Sequence, residues 1–336
     1  DIYFRSSSDI LAGRTKSVQI DIAILVINNS QLKGEIKMTA IFNGVATAIA
    51  TTMNNDGSID YAAYERLVEF QISSGINGII VAGTTGEGAT LTIEEKLDLL
   101  RRTIRIRGDR DCAIILGTGS NNTLTAIDHT RLAKENGADA ALVVTPFYNK
   151  TSQRGLVAHY FAIADSVDIP IILYNVPGRT GMTINPETVA ELAGHRNIVA
   201  LKDATGDIGY LDRVRGYLEP NIDFNLYSGD DGSFFDFLVH GGDGVISVVS
   251  NCLPVEFLRV YSLYQEGRIN EARDLQLALN PFIDALFSDV SPTPVKAVLK
   301  EMGYGEENFR LPLIPTTDAV RENTIALYRE CLSLEA

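Results

Sequence analysis

Lys202 closes the apolar run Ile198-Val199-Ala200-Leu201 and is followed by Asp203-Ala204-Thr205. An ammonium at the end of a buried strand is partly desolvated, and desolvation disfavours its charged form. A neutral amine attacks carbonyls, so Lys202 is a candidate for Schiff-base chemistry. For such a lysine taken alone, the commoner arrangement is to reach solvent or to pair with Asp203. Tyr174 closes Ile171-Ile172-Leu173 in the same manner. Its phenol is either a proton-transfer group beside the amine or a packed tyrosine with a satisfied hydroxyl. Thr84 and Thr85 lie in Gly83-Thr84-Thr85-Gly86-Glu87. Their hydroxyls and the N–H groups of such a turn suit a carboxylate, although a helix-capping turn reads the same way. Arg179 follows Pro177-Gly178 and can grip a carboxylate with two parallel hydrogen bonds, unless it is one of the more numerous surface arginines.

The elements that carry these residues repeat from residue 44 onward. A short apolar run ends in a Gly, Thr or Asn turn, and an amphipathic helical pattern follows. The strands are expected at Val45–Thr51, Gly78–Ala82, Ala113–Thr118, Ala140–Thr145, Ile171–Asn175, Ile198–Lys202, Phe224–Ser228 and Gly244–Val249. Each is nearly continuous in apolar character, as parallel strands covered on both faces require. Helices are expected between them, among others at Tyr61–Ser74, Ile93–Arg105, Thr123–Asn136 and Pro186–Ala193. Eight units predict an α/β TIM (β/α)8 barrel over 38–266, with a doubly wound open sheet as the alternative. From about Pro254 the pattern is wholly helical, which predicts a C-terminal all-helical extension over 267–336. Residues 1–37 are read as a leader, disordered or foreign to the enzyme, with Met38 as a natural start. Their apolar run Ile20–Ile27 is too short for a membrane span and lacks a signal-cleavage pattern.

In a barrel of this kind chemistry sits at the C-terminal strand ends, and the candidates above all fall there. His129, His159 and His240 fall in or at the ends of helices, and His195 enters the sixth strand from the opposite rim. No metal is therefore expected at the catalytic face. Walker and GxGxxG motifs are missing, so no nucleotide cofactor is indicated. Asp230 and Asp231 after the seventh strand disfavour a phosphorylated substrate. With 29 basic and 43 acidic residues the net charge is −14, so nucleic acid and anionic membranes are poor partners. Cys112, Cys252 and Cys331 form no CxxC pair, which fits a reducing cytosol.

From about Met38 to the C-terminus the chain resembles the dihydrodipicolinate synthase (4-hydroxy-tetrahydrodipicolinate synthase) family. The resemblance rests on Gly83-Thr84-Thr85-Gly86-Glu87, on Tyr174-Asn175-Val176-Pro177-Gly178-Arg179-Thr180-Gly181 and on Lys202-Asp203-Ala204-Thr205-Gly206. Ser228-Gly229-Asp230-Asp231 and Gly244-Val245-Ile246-Ser247 add to it. It implies a lyase of lysine and diaminopimelate biosynthesis, with pyruvate and L-aspartate 4-semialdehyde as substrates and no cofactor. It also implies that Lys202 forms the Schiff base with pyruvate. Thr84, Tyr174 and Tyr148 would form a proton relay, Tyr148 reaching into a neighbouring subunit. Thr85 would help hold the pyruvate carboxylate, and Arg179 would orient Tyr174 and receive the carboxylate of the aldehyde. Gly229 and Ile246 would bring backbone carbonyls near the substrate. The family is usually a tetramer of two tight dimers, and Tyr148 makes a homodimer the minimum.

The sister N-acetylneuraminate lyases and 2-keto-3-deoxy-sugar-acid aldolases share the lysine, but generally carry smaller or hydroxyl residues where Arg179 stands. A barrel kept only as a binding subunit would be expected to have lost at least one of Lys202, Tyr174, Tyr148 and Thr84, and all four are present. One departure concerns regulation. Where lysine-inhibited members carry a His, a Glu and a Tyr, this sequence has Lys96, Thr125 and Phe147. The resemblance with these replacements implies weak or absent lysine binding, because an ammonium now faces a cationic ligand; calorimetric titration with lysine measures this directly.

Overall fold

The computed structural model describes residues 40–335; the leader expected over 1–37, and Met38 with it, lie outside the described residues. Eight parallel strands close into one barrel in sequence order. They are β1 (Gly44–Ala48), β2 (Gly78–Val81), β3 (Ala113–Gly117), β4 (Ala140–Val144), β5 (Ile171–Asn175), β6 (Ile198–Asp203), β7 (Asn225–Ser228) and β8 (Gly244–Ser247). Between them run α1 (Tyr61–Ser73), α2 (Ile93–Arg107), α3 (Thr123–Glu135), α4 (Gln153–Ser166), the short turn α5 (Pro177–Thr180), α6 (Pro186–Ala193), α7 (Ile208–Tyr217) and α8 (Phe234–Val239). After β8 come α9 (Pro254–Gln265), α10 (Ile269–Leu286), α11 (Thr293–Glu301) and α12 (Asp318–Cys331). The closed barrel excludes the open-sheet alternative.

Alternation along the strands sorts side chains into two environments. Ala46, Ala48, Ile80, Ile115, Leu142, Ile172, Ala200 and Ile246 fill the barrel interior. Ile171, Leu173, Leu201 and Leu226 face the helices instead. Phe42 closes the N-terminal end of the barrel, its ring stacked on Tyr227 at 4.2 Å, while the Tyr227 hydroxyl donates to the Phe42 carbonyl at 2.7 Å. That end is plugged, so the opposite mouth is the one available to a substrate.

Several strands stop before their apolar runs do. β1 ends at Ala48 rather than Thr51, and β8 at Ser247 rather than Val249. The extra residues are buried by loops folded over the mouth: Thr51 Oγ1 donates to the Gly86 carbonyl at 2.7 Å, and Val249–Asn251 form a 3-10 turn. Helix starts follow capping chemistry. Thr92 accepts from the Glu95 N–H while the Glu95 carboxylate accepts from the Thr92 N–H, a reciprocal cap for α2. The C-terminal helices share the barrel's outer core, with Leu279, Phe282, Leu286, Val295 and Val298 packed in the same cluster as Val249, Leu253 and Phe257.

Candidate active site

Strand pairing puts Tyr174 of β5 directly beside Lys202 of β6. Both side chains point into the barrel, and the Lys202 ammonium lies 4.3 Å from the centroid of the Tyr174 ring. Each residue is almost buried, at 6% and 7% exposure. The pairing of Lys202 with Asp203 does not occur. Asp203 is on the opposite face of β6, where its carboxylate accepts from Asn175 Nδ2 at 3.1 Å and from Thr205 Oγ1 at 2.7 Å. Burial pushes the Asp203 carboxyl up to about 6, against the two hydrogen bonds. Among the described residues Lys202 has no ion-pair partner, so the amine faces the mouth uncompensated.

The mouth opens into a cavity of about 540 Å³ lined by Lys202, Tyr174, Thr84, Thr85, Arg179 and Gly229, among others. Gly229 is there because nothing larger fits. A Cβ on it would lie 2.9 Å from Lys202 Cε and 2.9 Å from Ala204 Cβ. Thr84 and Thr85 sit in a tight loop, with the Glu87 N–H donating to the Thr84 carbonyl at 3.0 Å and the Gly88 N–H to the Gly83 carbonyl at 3.0 Å. Ala82 and Glu87 both take φ of +53°, a left-handed conformation that costs non-glycine residues energy. The capping alternative falls to Thr92 rather than to either threonine. Thr85 is buried whereas Thr84 is open to the cavity. Arg179, carried by the Pro177–Thr180 turn, is exposed and has no ion pair among the described residues. No hydrogen bond joins it to Tyr174.

Two residues implied by the family resemblance stand apart from this cavity. Tyr148 is 92% exposed and does not line it. Its φ is +69°, and its loop is pinned to the β3 loop, Asn121 Nδ2 donating to the Phe147 carbonyl and Asn149 Nδ2 to the Asn121 carbonyl. Ile246 is buried in the barrel interior, and the cavity is bounded two residues on by Val248. Of the two acids after β7 only Asp230 lines the cavity. Asp231 turns inward to accept from the Val248 and Val249 N–H groups at 2.9 and 3.1 Å.

One wall was not anticipated from the sequence. Phe287, Asp289, Val290 and Ser291, between α10 and α11, line the cavity from the C-terminal side. Pro292 and Pro294 mark a loop there, but nothing local indicates that it folds back over the mouth. Three of the four histidines are engaged elsewhere, His159 with Thr123, His195 with Asp165 and His240 with Asp212, and His129 lies within α3, away from the cavity lining. Among the described residues no group of three His, Cys, Asp or Glu side chains is placed to hold a metal. The arrangement is a buried amine beside a phenol, facing hydroxyls and a guanidinium across a cavity of small-molecule size, which suits carbonyl chemistry on a carboxylate-bearing substrate.

Comparison with known proteins agrees in sequence and in three dimensions. Residues 41–330 match the model of the dihydrodipicolinate synthetase family. The chain is 44% identical over 291 residues to 4-hydroxy-tetrahydrodipicolinate synthase from Macrococcus caseolyticus, covering 87% of this chain and 97% of that one. It superposes on the crystal structure of dihydrodipicolinate synthase from Thermotoga maritima with a TM-score of 0.85 at 40% identity, covering 87% and 99%. A lysine-bound structure of the enzyme from Cyanidioschyzon merolae gives a TM-score of 0.84 at 38% identity, covering 87% and 99%.

Proposed function

The chain belongs to the dihydrodipicolinate synthetase family, and from that premise we propose that Lys202 is the amine on which it joins its two substrates. The reaction is the condensation of pyruvate with L-aspartate 4-semialdehyde to 4-hydroxy-tetrahydrodipicolinate, in lysine and diaminopimelate biosynthesis. The Lys202 amine adds to the pyruvate ketone and water leaves, giving a protonated imine. That imine withdraws electrons, so the methyl carbon loses a proton and becomes an enamine. The enamine carbon forms the new bond to the aldehyde carbon, whose oxygen takes up a proton. The amino group of the second substrate then displaces Lys202 from the imine carbon, closing the ring and freeing the lysine.

The observation that carries this reading is the buried Lys202 ammonium 4.3 Å from the Tyr174 ring, at the mouth of the cavity that Thr85 and Arg179 also line. In it, Tyr174 and Thr84 move protons, and Thr85 with its turn holds the pyruvate carboxylate. The exposed guanidinium of Arg179 receives the carboxylate of the aldehyde substrate, while the backbones at Gly229 and Ile246 border the reacting carbons. Tyr148, too exposed to serve its own cavity, completes the relay of a neighbouring subunit, so the working form is a homo-oligomer, at least a dimer and by family habit a tetramer. The described residues contain no helix long and apolar enough to cross a membrane, and we place the enzyme in the cytoplasm on its biosynthetic role. Borohydride reduction in the presence of pyruvate, followed by peptide mass spectrometry, tests the mechanism. The expected adduct is on Lys202; an unlabelled folded protein, or an adduct on Lys150, would refute it.

A further inference from the structure

The loop that carries Thr84 and Thr85 is held from the far end of the chain. Glu87, two residues beyond Thr85, accepts from Lys296 Nζ of α11 at 2.7 Å, and both side chains are 1% exposed. The second Glu87 oxygen lies 3.4 Å from the Arg310 N–H. Lys296 also donates to the Asn308 carbonyl and lies 4.4 Å from the centroid of the Phe309 ring. Arg310 in turn donates to the Thr90 carbonyl at 2.8 Å, and Asn308 Nδ2 to the Met53 carbonyl at 3.0 Å. Segment 308–310 thus holds the loop alongside Thr51, just past β1, whose hydroxyl donates to the Gly86 carbonyl.

A buried ion pair is a weak source of stability, because desolvation cancels much of its attraction. Its geometry, however, is specific, and breaking it leaves an uncompensated charge. Glu87 sits at φ +53° and bonds the Thr84 carbonyl through its own N–H. A strained backbone of this kind persists only where its surroundings over-determine it. The carboxylate is the one charged handle on that strained residue, and Lys296 is what grips it.

We infer that Glu87 and Lys296 are positioning residues for the first substrate: their ion pair sets the Thr84–Thr85 loop, so the C-terminal helices determine how well pyruvate is held. The inference rests on the reading that this loop receives the pyruvate carboxylate.

The test measures borohydride labelling against pyruvate concentration in the full chain, with melting temperatures alongside. Lys296→Met is expected to raise the pyruvate concentration for half-maximal labelling about tenfold, equivalent to about 1.4 kcal/mol. Lys296→Arg, which keeps a cation for Glu87, recovers most of that shift. The double variant Glu87→Gln with Lys296→Met buries no charge and is expected to melt near the parent, yet it retains the shift because nothing holds the loop. A pair that served only stability would lower melting temperature and maximal labelling together and leave half-saturation unchanged. Unchanged half-saturation in both methionine variants, beside normal labelling of the parent, overturns the inference. If Lys296→Met fails to fold, the double variant decides by the same concentration. An unlabelled parent would instead remove the pyruvate reading, and the inference with it.

Discussion

Gly229 shows how far the environment of Lys202, the proposed Schiff-base lysine, is set by steric fit rather than by charge. The lysine chain must run from β6 to the barrel mouth, and it passes the Gly229 backbone with no space to spare. Adding one methyl group there puts a carbon 2.9 Å from Lys202 Cε and 3.1 Å from the Asp203 carbonyl. The flexible side chain yields before the strand does, so the amine is displaced from its place beside Tyr174. Misplacing a reacting group by about 1 Å can cost ~100-fold in rate. Gly229→Ala is therefore expected to lower kcat/KM for pyruvate by about that factor, at an overpacking cost of roughly 1–3 kcal/mol. Steady-state kinetics beside thermal melts separate the two effects. A variant that melts early but reacts with pyruvate normally would show that the lysine has room the geometry denies it.

Strand ends are where elements and chemistry meet, and where the sequence is most readable. Eight apolar runs mark the eight strands because both faces of a parallel barrel are covered, and Lys202 stands out because a charge interrupts that covering. The runs overshoot at β1 and β8 because the loops over the mouth bury residues too, and apolar character alone does not separate ladder from lid. Segment 287–291 was invisible for a different reason: it reaches the cavity only through tertiary packing, which nothing in its own sequence marks. Asp203 belongs to the readable positions, yet its role is not readable. It ties β6 to Asn175, whose Oδ1 accepts from the Ile184 N–H at 3.1 Å, and so closes the far end of the loop that carries Arg179. Burial raises its carboxyl from 3.8 to about 6. Between those values the folded protein holds a proton that the unfolded chain has lost, so this group's stabilising contribution is present below about 4 and fades as pH rises through 6. Asp203→Asn mimics the protonated form. It is expected to match the parent near pH 4 and to exceed it at pH 7 by up to ~3 kcal/mol, at 1.36 kcal/mol for each pKa unit. Denaturant midpoints across that range check it, and a gap that stayed constant with pH would contradict it.

At the scale of the whole molecule, one implied catalytic group lies outside the cavity it should serve. Tyr148 is the most exposed large hydrophobic residue of the described chain, and it sits on a loop with Phe147, close to the β3 loop. An exposed tyrosine in a left-handed conformation, fixed by asparagine side chains, is costly to build without a partner to meet it. In the proposed twofold dimer that partner is another copy of the same loop, and each subunit contributes to the other's site. The arrangement has an arithmetic consequence. Lys202→Ala and Tyr148→Phe should each be strongly impaired alone, since every site lacks one group. Unfolded together and refolded at equal amounts, about half of the dimers are hybrids. In each hybrid one site combines an intact Lys202 with an intact Tyr148, and the other has neither. Activity should then return to about a quarter of the parent value. If Tyr148 served its own subunit, no mixed site would be complete and mixing would restore nothing; sedimentation of the same mixtures shows whether the hybrids formed.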